Sequence, residues 1–168
     1  MTKFLSAAFI VFTLLVVSGC GGSSSSRAVE HHEEYVPELL LFDIVDSEGR
    51  DSADAAYKDY YILEESVFDI FWEVNSLEDY TVTLMLNDSD SPVGAIPIHS
   101  QICGAGRRCD QGGGWICDYM DNSMSCDGMN ITDVYGKTRK TPYLYLILSI
   151  CDYDSRYCEY DRYPVIVE

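Results

Sequence analysis

The sequence predicts an all-β fold, an antiparallel sandwich of two sheets whose loops are braced by disulfides. Apolar and polar residues alternate with a period of two along several short segments, as in strands with one buried face. Turn-forming residues separate these segments, and helical periodicity is nearly absent. Six of the seven cysteines lie between residues 103 and 158, an even number suited to disulfide pairing.

The strand candidates follow one another with short breaks. Leu39 to Val45 and Tyr60 to Leu63 are the first two, and residues 53–59 between them are expected to form a helical turn. Residues 68–74 and 80–86 alternate most clearly, and their closeness in the chain predicts that they pair with each other. The remaining candidates are Ile96 to Ile102, residues 115–120, residues 123–126, Tyr143 to Cys151 and Tyr163 to Val167.

The pair Asp121-Asn122 predicts a tight hairpin. Counting outward from this turn, Cys117 faces Cys126 at a non-hydrogen-bonded position, where the Cα atoms lie close enough for a disulfide. Residues 127–141, beyond the hairpin, are polar and predict a long crossing segment rather than core. Turn-rich intervening segments favour two further local bridges, Cys103 with Cys109 and Cys151 with Cys158.

The first twenty residues resemble the signal of a bacterial lipoprotein. Lys3 supplies a positive charge, residues 4–17 are largely apolar, and Val17-Ser18-Gly19-Cys20 resembles a lipobox. The resemblance implies that residues 1–19 are a signal peptide, that Cys20 is acylated, and that the protein lies in the cell envelope. Gly21 in place of aspartate implies the outer membrane. An ordinary secretory signal or an uncleaved anchor remains the alternative.

The domain organisation follows from this resemblance and from composition. Residues 20–36 comprise the lipidated cysteine and a flexible tether that begins GGSSSS, and residues 37–168 comprise the β domain. The net charge of the chain is -17. Removing Lys3 with the signal leaves 10 basic against 28 acidic residues, or -18. Nucleic acid is therefore excluded as an expected partner, because phosphate binding needs a basic surface.

A second resemblance covers most of residues 60–168. Residues 67–86, in which a tryptophan at 72 precedes a strand led by Tyr80, are similar to the second and third strands of fibronectin type III and other Ig-like domains. The longer order, LMLNDSDS followed much later by YLYLILSICD and CEYDRYPVIVE, also resembles the adhesion-related CARDB domains. The resemblance implies an Ig-like sandwich. It does not supply a function, since one fold hosts many.

Candidate sites for metals and catalysis are few. The chain has no GxSxG, no HExxH and no phosphate-binding glycine loop, so an enzyme is not expected. The cysteines lack CxxC spacing, which argues against zinc. No cofactor is expected, with calcium as the one alternative, because aspartates alternate with other residues in two acidic loops. These calcium candidates are Asp88, Asp90, Asp152 and Asp154, although turn chemistry alone also explains aspartate there.

Candidate ligand contacts come from two loops. Tyrosines crowd the last hairpin beside acidic residues, a composition that suits sugar stacking or a protein contact, or that simply covers the sheet. Two arginines in GAGRR could bind a carboxylate or a phosphate, or they could balance nearby aspartates. The contact candidates are Tyr153, Tyr157, Tyr160, Arg107 and Arg108, with Tyr163 in the same tyrosine cluster.

These features favour a non-enzymatic binding module that is attached to a membrane by its lipid anchor and binds protein or glycan. The second hypothesis is a structural or assembly lipoprotein that docks a partner through a sheet edge. A rigid loop cluster of aromatic and acidic residues would favour the first. An exposed apolar patch or an unprotected edge strand would favour the second.

Overall fold

A computed structural model of the chain describes residues 36–46, 60–107 and 109–168. It confirms an all-β fold, with ten strands and one four-residue helix in these ranges. No helix in this described part is long and apolar enough to cross a membrane. The elements are β1 Glu38–Asp46, β2 Tyr61–Leu63, β3 Ser66–Asn75, β4 Tyr80–Asn87, β5 Ile96–Cys103, β6 Gly112–Met120, β7 Ser123–Cys126, β8 Met129–Asp133, α1 Tyr135–Thr138, β9 Tyr143–Asp152 and β10 Cys158–Val167.

The strands form two sheets that pack into an Ig-like sandwich. The first sheet has the order β1-β3-β6-β7-β8 and the second has the order β2-β10-β9-β4-β5. All neighbours are antiparallel except β2 and β10. The order β10-β9-β4-β5 corresponds to strands G, F, C and C′ of immunoglobulin-like domains. The first sheet departs from that pattern, because three consecutive strands, β6, β7 and β8, run as a meander to its edge.

One predicted strand pairing is wrong. The sequence predicts that β3 and β4 are neighbours, but they lie in opposite sheets. Residues 76–79 carry the chain across the core from one sheet to the other. The two strands alternate because each turns one apolar row toward the core between the sheets, and not because they pair with each other. The rows are Phe68, Ile70, Trp72 and Val74 on β3, and Tyr80, Val82, Leu84 and Leu86 on β4.

The predicted hairpin and its register are confirmed. Cys117 pairs with Cys126 and Met120 pairs with Ser123, as the count from the turn predicts. Asp121 and Asn122 have φ angles of 49° and 60°, the left-handed conformation that a type I′ turn requires. All three predicted bridges are present, with Cα separations of 5.0 Å for Cys103–Cys109 and 4.0 Å each for Cys117–Cys126 and Cys151–Cys158.

The crossing segment is more structured than predicted. Residues 127–141 connect the first sheet to the second, as predicted, but they also contain β8 and α1, which the sequence does not predict. Polar composition is compatible with β8 because it is the last strand of its sheet and most of its side chains are exposed. The signal peptide, nearly all of the tether and the helical turn at 53–59 fall outside the described residues.

The sheets are joined in the core around Trp115. Its ring lies 4.4 Å from the ring of Trp72, and His99 of the second sheet packs edge-on against it at 4.6 Å. Its indole N–H donates to Gln101 Oε1 at 2.9 Å. Nearby, the Tyr80 hydroxyl donates to the carbonyl of Cys109 at 2.5 Å. The loop that follows β5 is therefore tied to the core.

We expect Tyr80→Phe to lower the free energy of unfolding by about 1–3 kcal/mol, because the buried carbonyl of Cys109 loses its donor. Burial raises the pKa of Tyr80, so its phenol keeps the proton that it donates. Urea denaturation measures the change. Tyr135→Phe, at a side chain that is 54% exposed, is the control and should leave the unfolding midpoint unchanged. Equal midpoints for both variants would contradict the assigned role of this bond.

Candidate functional site

Three loops converge at one end of the sandwich. They are residues 76–79 between β3 and β4, 104–111 between β5 and β6, and 153–157 between β9 and β10. The register shows why: Tyr80, which begins β4, pairs both with Cys103 at the end of β5 and with Asp152 at the end of β9. These three segments are called the loop end.

The chain also enters the sandwich at the loop end. Glu38, the first residue of β1, pairs with Asn75, the last residue of β3. The Leu39 N–H donates to Glu159 Oε2 at 2.6 Å and so connects the start of β1 with the start of β10. The carboxylate of Glu159 therefore has a structural contact across the two sheets.

The loop between β5 and β6 packs tightly on the turn between β3 and β4. Arg107 binds one carboxylate oxygen of Asp79 through Nη2 at 2.9 Å and through Nε at 3.3 Å. The same carboxylate raises the pKa of Arg107, and Tyr153 is close enough to act in the same direction. Gly104 allows this approach, because a Cβ atom there would lie 2.3 Å from Asp79 Oδ1. An ion pair and a close backbone contact thus join the two loops.

Further contacts fix the same loop at its base. The Cys103–Cys109 disulfide closes it. Gln111 Nε2 donates to the Ser76 carbonyl at 3.1 Å, and the Val74 N–H donates to the Gln111 carbonyl at 3.1 Å. The loop is therefore held at both of its ends.

The loop between β9 and β10 is held by its own turn chemistry. Asp152 Oδ1 accepts the N–H groups of Arg156 at 2.7 Å and Tyr157 at 3.2 Å. Ser155 has a φ of 55°, and the Cys151–Cys158 disulfide closes the hairpin below it. This arrangement gives Asp152 a structural role and holds the loop in one conformation.

The four clustered tyrosines separate into three environments. Tyr153 and Tyr157 lie on the loop and are 66% and 46% exposed. Tyr160 lies on β10 and is 43% exposed. Tyr163 is buried and packs edge-on against Phe42, so the prediction that it belongs to the exposed tyrosine cluster is wrong. Alternation along β10 explains this, because a shift of three residues reverses the face.

Three of the contact candidates, Arg107, Tyr153 and Tyr157, lie at the loop end, and Tyr153 is close enough to Arg107 to raise its pKa. Arg108 lies outside the described residues. Asp79 and Gly104 belong to the same contact and were not identified from the sequence. Asp79 is 28 positions from Arg107, and no local pattern relates the two residues.

The calcium candidates lie at different places in the fold. Asp88 follows the far end of β4 and binds Lys137 at 3.1 Å and Lys140 at 3.0 Å. Hydrogen bonds from Lys140 and then Lys137 lower the pKa of Asp88. Asp90 lies 3.6 Å from Arg162, whereas Asp152 is the last residue of β9 and Asp154 lies in the loop end. Within the described ranges, no group of three potential ligand side chains is positioned to hold a metal.

His99 is the one histidine within the described residues. It is buried against Trp115, and this burial lowers the pKa of its imidazole, opposed by the charge of Asp127. A neutral imidazole in this position packs as a core side chain.

Comparison with known proteins gives no assignment. No protein family model matches the chain, and no curated protein matches it significantly.

We expect Gly104→Ala to separate the two packed loops, because the added Cβ would also lie 2.6 Å from the Asp79 Cα. The expected loss in the free energy of unfolding is about 2–4 kcal/mol, because overpacking costs about 1–3 kcal/mol and a side chain at the positive φ of 137° adds backbone strain. Gly106→Ala is the control in the same loop. It has a positive φ of 76° but no atom within 4 Å of its added Cβ, so only backbone strain of about 1–2 kcal/mol applies. Equal losses in urea denaturation would show that the close contact is unimportant.

Proposed function

We propose that this protein is a lipid-anchored lipoprotein of the bacterial cell envelope whose β-sandwich binds protein or glycan at the loop end. The observation that carries this proposal is the exposure of Tyr153 and Tyr157 at the same end of the sandwich as Arg107, on loops that disulfides close. The function is one of binding rather than catalysis.

The chemistry of the loop end suits recognition. A tyrosine ring offers a large apolar face and a hydroxyl that can form a hydrogen bond, which serves both sugar stacking and protein contacts. Arginine and tyrosine are enriched among the residues that dominate binding energy. Loops that are already ordered lose little conformational entropy on binding, so more of the contact energy appears as affinity.

The membrane attachment rests on the resemblance of residues 1–20 to a lipoprotein signal. Each buried methylene contributes about 0.8 kcal/mol, and a single acyl chain anchors only marginally, so the several chains of a bacterial lipoprotein would make attachment stable. Gly21 after the cysteine supports the outer membrane as the location.

The anchor is tested by Cys20→Ser in the native envelope. We expect the unaltered chain to carry acyl groups at Cys20, begin at that residue and partition into the detergent phase of Triton X-114. The variant should lack the acyl mass and leave the membrane fraction. An unmodified thiol at Cys20 in mature protein would refute lipidation.

The loop end is tested by affinity capture with the whole acylated chain from its native envelope, followed by identification of the captured molecules. We expect Tyr153→Ser with Tyr157→Ser to lose the captured ligand. The matched control is Tyr135→Ser with Tyr143→Ser, since these side chains are 54% and 55% exposed at the opposite end of the sandwich. Equal capture by both double variants would refute binding at the loop end.

A second candidate function is docking through a sheet edge. β8 is the outermost strand of the first sheet, and its Ile131 side chain is 81% exposed. Among the described strands β8 pairs only with β7, and an edge strand with exposed apolar side chains can accept a partner strand. In the same capture experiment, a molecule that the double tyrosine variant still captures, but that the Ile131→Lys variant does not, would favour this function.

A further inference from the structure

The outer face of the first sheet, formed by the side chains of β1, β3 and β6 that point away from the core, carries several exposed apolar side chains. Ile116 lies on the central strand β6 and is 62% exposed, while Val67 on β3 is 49% exposed. Met120 and Phe71 are 56% and 45% exposed. This surface is distinct from the loop end.

Carboxylates alternate with these apolar side chains. Asp69 pairs with Ile116 across β3 and β6, and Val67 pairs with Asp118. Residues that pair directly across two strands have their side chains on the same face of the sheet. Both pairs therefore lie on the outer face. The result is a pattern of apolar and acidic side chains in alternate positions.

A groove of about 570 Å³ runs through this pattern. Val67, Ile116 and Met120 give it an apolar lining, and Asp118 and Asp127 add carboxylates. Both acids are fixed by hydrogen bonds. Asp118 Oδ1 accepts the Ser125 hydroxyl at 2.5 Å, and Asp127 Oδ1 accepts the Ile116 N–H at 3.2 Å.

Among the lysine, arginine, aspartate and glutamate side chains of the described strands, those of the first sheet are all acidic. Its five strands contain no lysine or arginine. The basic residues of the described ranges belong to other parts of the fold: Arg107 at the loop end, Lys137 in α1, Arg139 and Lys140 after it, Arg156 in the last loop and Arg162 on β10. The acidic residues of the five strands are Glu38, Asp43, Asp46, Asp69, Glu73, Asp118 and Asp133.

We propose that this face docks a protein partner whose contact surface interleaves aliphatic residues with lysine or arginine. The methylene stem of such a side chain would pack on Val67 and Ile116 while its charged group reaches Asp118 or Asp127. Self-association of two such faces would place like charges opposite each other. Anionic lipid and nucleic acid would be repelled for the same reason.

The test uses the whole chain in a non-ionic detergent and a fluorescent peptide of alternating valine and lysine, about ten residues long to match a strand. Fluorescence anisotropy measures its affinity, and a valine–glutamate peptide is the comparison. We expect the lysine peptide to bind and the glutamate peptide not to bind. Raising the salt concentration should weaken the binding.

Variants separate a specific site from general attraction to an acidic protein. Ile116→Ser keeps every charge and should weaken binding about tenfold, as should Asp69→Asn with Asp118→Asn. The matched charge control is Asp154→Asn with Glu78→Gln at the loop end, which should change the affinity less than about twofold. Carbodiimide cross-linking should join peptide lysines mainly to Asp69, Asp118 and Asp127.

Three results would overturn the proposal: equal binding of the glutamate peptide, unchanged affinity of Ile116→Ser, or cross-links that fall mainly at the loop end. Because the loop tyrosines take no part in this assay, its outcome is independent of the proposed function.

Discussion

The contact between Trp115 and the second sheet joins the two sheets and positions the disulfide loop that follows β5. Trp115 belongs to β6 of the first sheet, yet its ring packs against His99 and its N–H bonds to Gln101, both on β5 of the second sheet. Gln101 continues the connection, since its amide N–H lies 3.4 Å from Cys109 Sγ. The position of the disulfide loop thus follows from the packing of one indole ring between the sheets.

Features that depend on neighbouring residues could be predicted from the sequence. Asp121-Asn122 adopts a turn whose geometry sets the register of its hairpin, and that register brings Cys117 to Cys126. The alternation along β3 and β4 identified the core side of both strands correctly. Each of these relations is set by the period of a strand or the geometry of a two-residue turn.

Features that depend on distant residues could not be predicted in the same way. A period of two gives the buried face of a strand but not its partner, so the sequence predicts β3 and β4 as neighbours although they lie in opposite sheets. The ion pair of Asp79 with Arg107 requires the arch at residues 76–79 and the loop after β5 to meet. The polar composition of residues 129–133 also gives no indication of β8, because an exposed edge strand needs few apolar residues.

The start of β1 beside the loop end limits how a ligand could be reached. Glu38 pairs with Asn75, and the Leu39 N–H donates to Glu159, so the first strand occupies part of the end of the sandwich that carries Tyr153 and Arg107. A ligand at these two side chains would have to share that end of the molecule with the entering polypeptide. Such crowding favours a compact epitope, such as one sugar unit or a single peptide turn, over a broad flat surface.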